Sequence, residues 1–111
     1  MSGLEVPLLT ITSRVNMPEY NEINEKEIGT EVEMPLNKYK KYIIVNSRVH
    51  PGEANASFMM EGFLKMITSA NNLQAEELRK RYIFKIIPIC NPDGVIIGNY
   101  RTHLAGNDLN R

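Results

Sequence analysis

The residues best suited to chemistry are His50 and Glu53, which lie three apart in the segment Val49-His50-Pro51-Gly52-Glu53. An imidazole nitrogen and a carboxylate at this spacing can point at one metal ion, and Zn²⁺ binds both donor types at roughly 2.0–2.2 Å. The spacing is common by chance, however. A histidine at a strand end is often satisfied by backbone groups, and Glu53 could simply complement the dipole of a following helix. The pair therefore needs further polar residues before it predicts a metal site.

Further polar residues occur in the last quarter of the chain, at Arg101 and in Asp108-Leu109-Asn110-Arg111. The segment Asn91-Pro92-Asp93-Gly94 is interpreted as a turn with an architectural role and no direct chemistry. His103 is interpreted as a surface histidine, and Cys90 as a small thiol at a strand end. Cys90 has no partner at C-x-x-C spacing, which excludes a zinc-deaminase site.

The elements that must position these residues follow from apolar patterning. Strands are predicted over residues 6–12, 42–47 and 82–89, which are rich in β-branched and aromatic residues. A helix is predicted from Ala54, and a second one over residues 74–80. The side of the first helix predicted to be apolar comprises Phe58, Gly62, Leu64, Met66 and Ile67.

The strand, helix, strand order from residue 42 to residue 89 predicts a parallel βαβ unit. His50 and Glu53 follow the carboxyl end of one strand, and Asn91 follows the carboxyl end of its partner. Ligand sites in open α/β sheets gather at such ends. The two motifs are therefore expected on one rim of the sheet.

Length and composition set the remaining bounds. The 111 residues allow at most one domain, in which residues 16–41 are predicted to form a variable surface loop. The 13 basic and 13 acidic residues cancel, which gives no argument for nucleic acid or an anionic membrane. A single cysteine fits a reducing compartment, and neither a signal sequence nor a long apolar run is present. We expect a cytoplasmic protein that binds neither nucleic acid nor a membrane.

Taken in order, the motifs resemble those of the zinc metallocarboxypeptidases, and specifically of their cytosolic branch, whose members trim glutamates from tubulin and other proteins. The resemblance covers the chain from about residue 6 to residue 111, apart from the predicted variable loop. It rests on His50-Pro51-Gly52-Glu53, the helix with Phe58 and Gly62-Phe63-Leu64, Phe84-Lys85-Ile86-Ile87-Pro88, Asn91-Pro92-Asp93-Gly94-Val95, Gly98-Asn99-Tyr100-Arg101 and Asp108-Leu109-Asn110-Arg111.

The resemblance implies a zinc site in which His50 and Glu53 are ligands. It also implies that Asp108 accepts a hydrogen bond from His50 and so orients the imidazole. This role makes chemical sense because a metal-bound histidine usually donates its other ring N–H to a carboxylate.

The resemblance also implies the substrate contacts. Arg101 would polarise the scissile carbonyl, where a guanidinium can stabilise the developing oxyanion. Asn110 and Arg111 would hold the terminal carboxylate of the substrate, which a planar guanidinium grips through two parallel hydrogen bonds. The substrate would be the carboxyl terminus of a peptide or protein, such as tubulin.

The chain departs from the family pattern because it lacks the downstream histidine ligand and the catalytic glutamate. We therefore expect an α/β fold with a mixed, mostly parallel sheet and flanking helices, forming a single partial domain over residues 1–111. This would be the amino-terminal half of a zinc carboxypeptidase domain, inactive alone. The alternative is a non-catalytic interaction module that keeps the sheet and its rim.

Overall fold

The computed structural model of the chain describes residues 3–14 and 40–111. These residues form, in order, β1 (Leu9–Ile11), β2 (Lys41–Asn46), α1 (Asn55–Thr68), α2 (Leu73–Arg81), β3 (Tyr82–Ile87) and α3 (Pro92–Ile97). The three predicted strands and two predicted helices are confirmed, with shifted ends. Most of the predicted variable loop lies outside the described residues. Its last residue, Lys41, already belongs to β2.

The described strands form one mixed sheet in the order β1-β3-β2. β2 runs parallel to β3, with Ile43 opposite Phe84, whereas β1 runs antiparallel to β3, with Leu9 opposite Ile86. Helices α1 and α2 connect the two parallel strands. The expected mixed sheet with flanking helices and the predicted βαβ unit are thus confirmed.

A small apolar core lies between α1 and one face of the sheet. Its buried members come from α1 and β3, and the rings of Phe63 and Phe84 meet edge to face with centroids 6.0 Å apart. Burial of this kind contributes roughly 25 cal/mol per Å² of apolar surface, which is what holds the helix on the sheet. The core comprises Met60, Ile67, Phe84 and Ile86, surrounded by partly buried residues that include Ile43, Val45 and Leu64.

The face of α1 that packs on this core is rotated from the predicted one. Met60 and Ile67 are buried, whereas Phe58 is 74% exposed and Gly62 is also exposed. The prediction was therefore wrong for Phe58 and Gly62, although Leu64, Met66 and Ile67 do pack as expected. The reason is the helical period, since residues 60, 63, 64 and 67 form one continuous stripe.

The segment from Asn91 to Gly94 is the start of helix α3 and not the turn that was predicted. The Asn91 side chain accepts a hydrogen bond from the Gly94 N–H at 3.0 Å, and Pro92 occupies the first turn. Gly98 ends the helix in the left-handed conformation with φ 85°. Asparagine and proline favour both turns and helix starts, so the local pattern was ambiguous. Across residues 3–14 and 40–111, no helix is long and apolar enough to cross a membrane.

The outward face of β2 is open. Tyr42 is 64% exposed and Ile44 is 72% exposed, while Ile43 packs on the core from the opposite face. In a complete domain we expect such a strand to be buried on both faces. Exposed apolar strands template pairing with other chains. We therefore predict that the 111-residue chain aggregates, and that Ile44→Lys increases its monomeric fraction in sedimentation velocity.

The matched control for this prediction is Ile43→Lys. The same charge placed on the core-facing side should unfold the chain, because it buries an unpaired ammonium group. If the unsubstituted chain is a monomer with a sharp and reversible thermal transition, the open face is not a liability and the half-domain prediction loses its support.

Candidate functional site

The carboxyl ends of the parallel strands continue side by side beyond the sheet. Ser47 donates its backbone N–H to the Ile87 carbonyl at 3.1 Å, and its own carbonyl accepts from Cys90 at 2.9 Å. The Asn91 N–H then donates to the Arg48 carbonyl at 3.1 Å. The predicted common rim of the two motifs is therefore present in the structure.

Asn91 connects this rim to the histidine segment. Its side chain is 2% exposed, and its Nδ2 donates to the Val49 carbonyl at 3.3 Å. Its Oδ1 also accepts from the Gly94 N–H. One side-chain amide therefore hydrogen-bonds a carbonyl of the histidine segment and an N–H in the first turn of α3. Asn91 thus supports the backbone immediately before His50, consistent with the architectural role inferred from the sequence.

Two glycines let the histidine loop approach its neighbours closely. A Cβ on Gly94 would lie 2.3 Å from Pro51 Cγ and 2.7 Å from the Thr102 carbonyl oxygen. A Cβ on Gly52 would lie 2.3 Å from Cδ2 of the Tyr100 ring, and the Gly52 N–H donates to the Tyr100 carbonyl at 2.7 Å. The loop from His50 to Glu53 is therefore wedged between α3 and the segment that carries Arg101.

His50 lies at the centre of a polar cluster. The residue is 9% exposed. Each of its two ring nitrogens faces a different carboxylate. Nδ1 is 3.1 Å from Glu53 Oε1, and Nε2 is 3.1 Å from Asp108 Oδ1. Asp108 is 58 residues away along the chain, so the fold brings this partner to the ring.

Asp108 is held as a carboxylate. The backbone N–H of Asn110, then the side chains of Arg101 and His50, lower its pKa from 3.8 to about 2, although partial burial acts in the opposite direction. The Asn110 N–H donates to Oδ1 at 2.8 Å, and Arg101 Nε donates to Oδ2 at 2.6 Å. An ionised carboxylate can only accept hydrogen bonds, so the contact with Asp108 is a hydrogen bond donated by His50 Nε2. Nδ1 faces the second carboxylate, that of Glu53, at 3.1 Å.

The donors His50 Nδ1 and Glu53 Oε1 suit one zinc ion. Two donors at about 2.0–2.2 Å from a tetrahedral ion lie roughly 3.3–3.6 Å apart, so the observed 3.1 Å would open by a few tenths of an ångström to hold the ion. Asp108 cannot be a third donor because it occupies the other ring nitrogen. Across the two described ranges, no group of three His, Cys, Asp or Glu side chains could hold a metal ion. The described residues fit part of a catalytic zinc site, which typically has three protein ligands.

The substrate residues predicted by the resemblance lie around the same cluster. Arg101 is joined to it through Asp108, with 39% of its side chain exposed. Asn110 and Arg111 are exposed, and the Arg111 N–H donates to the Asp108 carbonyl at 3.3 Å. Arg101 therefore lies beside the histidine, while the other two extend from the same turn toward solvent.

Sequence reasoning did not identify Arg48. Its Nη1 donates to Ser57 Oγ at 2.7 Å, and its Nη2 donates to the Pro51 carbonyl within the histidine loop. Nothing in its sequence neighbourhood distinguishes it from a surface arginine that follows a strand.

An apolar cleft of about 360 Å³ lies to one side of the cluster. His50, Glu53 and Arg101 are not among its lining residues, so it is not assigned to substrate. Its apolar walls include Leu4, Val6, Leu104 and Leu109.

The Asp108 network predicts a pH dependence of stability. Because the pKa of Asp108 is lowered to about 2 in the folded chain, its ionisation stabilises the fold above about pH 4, and this contribution is lost as the pH falls toward 2. We expect Asp108→Asn to lower the free energy of unfolding at pH 6, with a difference from the unsubstituted chain that shrinks toward pH 2. Urea unfolding at several pH values measures this. A difference that is constant with pH would contradict it, and the exposed Glu5 provides the control variant, Glu5→Gln.

Comparison with known proteins places these features in context. The sequence profile of the family described as zinc carboxypeptidase matches residues 1–111. The chain is 57% identical to cytosolic carboxypeptidase 2 of Mus musculus and 46% identical to cytosolic carboxypeptidase 1 of Homo sapiens, in each case over all 111 residues. It spans only 11% and 8% of the length of these curated relatives.

Solved structures show the same relationship. A metallo-carboxypeptidase from Pseudomonas aeruginosa, in complex with (2-guanidinoethylmercapto)succinic acid, superposes with a TM-score of 0.69 at 26% identity. That comparison covers 95% of this chain and 22% of the other. A metallo-carboxypeptidase from Burkholderia cenocepacia gives a TM-score of 0.62 at 38% identity, covering 69% of this chain and 22% of the other.

Proposed function

The chain belongs to the zinc carboxypeptidase family, and we propose that it supplies part of a zinc site that removes residues from the carboxyl terminus of a protein. The observation that carries this proposal is the placement of His50 between Glu53 and Asp108. The Asp108 carboxylate orients the ring through its contact with Nε2. The Glu53 carboxylate lies beside Nδ1, where both could bind one metal ion. This is the arrangement by which proteins orient a metal-binding histidine.

His50 Nδ1 and Glu53 would hold the zinc ion. Bound zinc acidifies water to a pKa of about 7 and polarises carbonyl oxygens. Asp108 keeps the proton of His50 on Nε2, so that Nδ1 stays available as a donor. The close packing at Gly52 and Gly94 fixes the backbone that carries both proposed ligands.

Arg101 is proposed to stabilise the oxyanion that forms at the scissile carbonyl. Its Nε is engaged by Asp108 at 2.6 Å, which orients the guanidinium and leaves its terminal nitrogens as the donors for substrate. Arg111, with Asn110, is proposed to bind the terminal carboxylate, where the guanidinium fork offers two parallel hydrogen bonds that lysine cannot. Both arginines contact Asp108: Arg101 pairs with its carboxylate, and the Arg111 N–H donates to its backbone carbonyl.

We further propose a cytoplasmic location and glutamate-terminated protein substrates, including tubulin. The names of the relatives as cytosolic enzymes support the location. The substrate class rests on the resemblance of the motifs. With two zinc donors in the described residues, the 111-residue chain by itself is expected to bind zinc weakly and to lack useful activity.

The test is a chimera in which residues 1–111 replace the matching segment of mouse cytosolic carboxypeptidase 2. We expect the chimera to release terminal glutamate from a synthetic peptide, measured by mass spectrometry, and His50→Ala to abolish the release. His103→Ala is the matched histidine control and should retain activity. A folded chimera that binds zinc, yet hydrolyses nothing, would refute the catalytic proposal and favour a non-catalytic interaction module.

A further inference from the structure

Arg48 carries two energetic costs immediately before the histidine loop. Among the described residues it is the only non-glycine residue with a positive φ, at 54°. A residue with a Cβ is disfavoured in this left-handed region, whereas glycine adopts it without strain. A position that needed only the turn would therefore be served better by glycine.

The second cost lies in the side chain. Arg48 Nε is buried without a hydrogen-bond partner in the described part of the chain, and none of the ion pairs described there includes Arg48. A buried N–H left without a hydrogen-bond partner is unfavourable for folding. The other contacts of the side chain must therefore offset this cost.

The two hydrogen bonds of the guanidinium show what it contributes. Nη1 holds Ser57 Oγ at 2.7 Å on the first turn of α1, and Nη2 holds the carbonyl of Pro51, between the two proposed zinc ligands. The Arg48 backbone carbonyl also accepts from Asn91. One residue therefore ties the centre of the loop to the helix that follows it and to the start of α3.

We propose that Arg48 is a positioning residue that holds the loop from His50 to Glu53 in the geometry that presents both donors to one metal ion. This inference rests on the proposed zinc function. Backbone strain that persists at a functional site is maintained because the surrounding contacts over-determine it. Arg48 fits this description, because its left-handed backbone conformation places the guanidinium against the Pro51 carbonyl of the loop.

The test measures Co²⁺ binding to the chimera of residues 1–111 with mouse cytosolic carboxypeptidase 2 by its visible absorption, a band that reports ligand geometry. We expect Arg48→Gly to weaken binding about tenfold and to alter the band, as loss of a supporting contact does elsewhere. Because glycine relieves the backbone strain, the thermal midpoint should fall little. Arg48→Lys retains the charge and can make one of the two hydrogen bonds. Its Co²⁺ affinity should therefore lie between that of the unsubstituted protein and that of Arg48→Gly.

The matched control is Arg79→Lys. The guanidinium of Arg79 likewise bonds two acceptors, here through Nη1 alone: the carbonyls of Ile67 and Ser69 at the end of α1. Its substitution should reduce stability and leave Co²⁺ affinity and the absorption band unchanged. A merely structural role for Arg48 would give the same pattern as this control.

Two outcomes overturn the inference in distinguishable ways. If Arg48→Gly and Arg48→Lys bind Co²⁺ within twofold of the unsubstituted chimera and with the same band, Arg48 positions nothing, while the proposed function stands. Should Arg48→Gly fail to fold, Arg48→Lys decides by the same criterion. If the unsubstituted chimera shows no Co²⁺ binding that depends on His50, the proposed zinc site is refuted, and the role of Arg48 with it.

Discussion

Replacing His50 with alanine is expected to lower the zinc affinity of the chain by about a hundredfold or more. Structural zinc sites with four protein donors contribute roughly 10–16 kcal/mol, or about 2.5–4 kcal/mol per donor, which corresponds to a factor of about 10²–10³. In this chain the loss removes one of only two proposed donors and leaves Glu53 alone. Isothermal titration with Zn²⁺ measures both affinities.

Two further variants sharpen this test. Glu53→Gln keeps the shape of the second donor while removing its charge, so it should also weaken binding strongly. His103→Ala removes a histidine whose Nδ1 accepts the Ala105 N–H at 2.8 Å, and it should leave the titration unchanged. Sub-micromolar binding that survives His50→Ala would show that the ligands are assigned wrongly.

Replacing Arg101 with methionine in the chimera is expected to lower kcat by about 10²–10³, the usual effect of deleting one oxyanion donor. The effect should fall mainly on kcat and not on KM, because the negative charge on the carbonyl oxygen develops in the transition state. Steady-state hydrolysis of a peptide with terminal glutamates separates the two constants.

Arg101 also contacts Asp108, so the zinc content of this variant must be measured alongside its kinetics. Arg81→Met is the matched control, since Arg81 pairs with Glu77 on the surface of α2. Unchanged zinc content with normal kcat would contradict the proposed role. A fall in kcat that follows a loss of zinc would make Arg101 a positioning residue instead.

The elements of the fold were predictable where one physical signal dominated. The continuous apolar run of β3 and the helix formers of α2 each admit one interpretation. α3 was missed because Asn91 and Pro92 are common in turns as well as at helix starts. The face of α1 was misplaced because Phe58 is apolar yet 74% exposed in this chain, and sequence alone does not say which surface a helix covers.

The candidate site divides in the same way. His50 and Glu53 are local in sequence, so their spacing could be recognised directly. The approach of Asp108 to His50 was expected only through the resemblance, because no local pattern joins residues that far apart. The ion pair between Arg101 and Asp108 and the contacts of Arg48 depend on side-chain orientation in three dimensions, which residue types and spacing do not encode.

The close approach of Gly94 to Pro51 has a consequence during synthesis. The proposed zinc ligands leave the ribosome before the segment that packs against their loop, because Gly94 follows Pro51 by 43 residues. At a translation rate of about 5–20 residues per second, this interval lasts roughly 2–9 s. During that interval the nascent chain exposes His50 and Glu53 on a loop without its α3 wall. Binding of a metal ion by the two proposed ligands in this geometry would therefore have to follow the synthesis of β3 and α3.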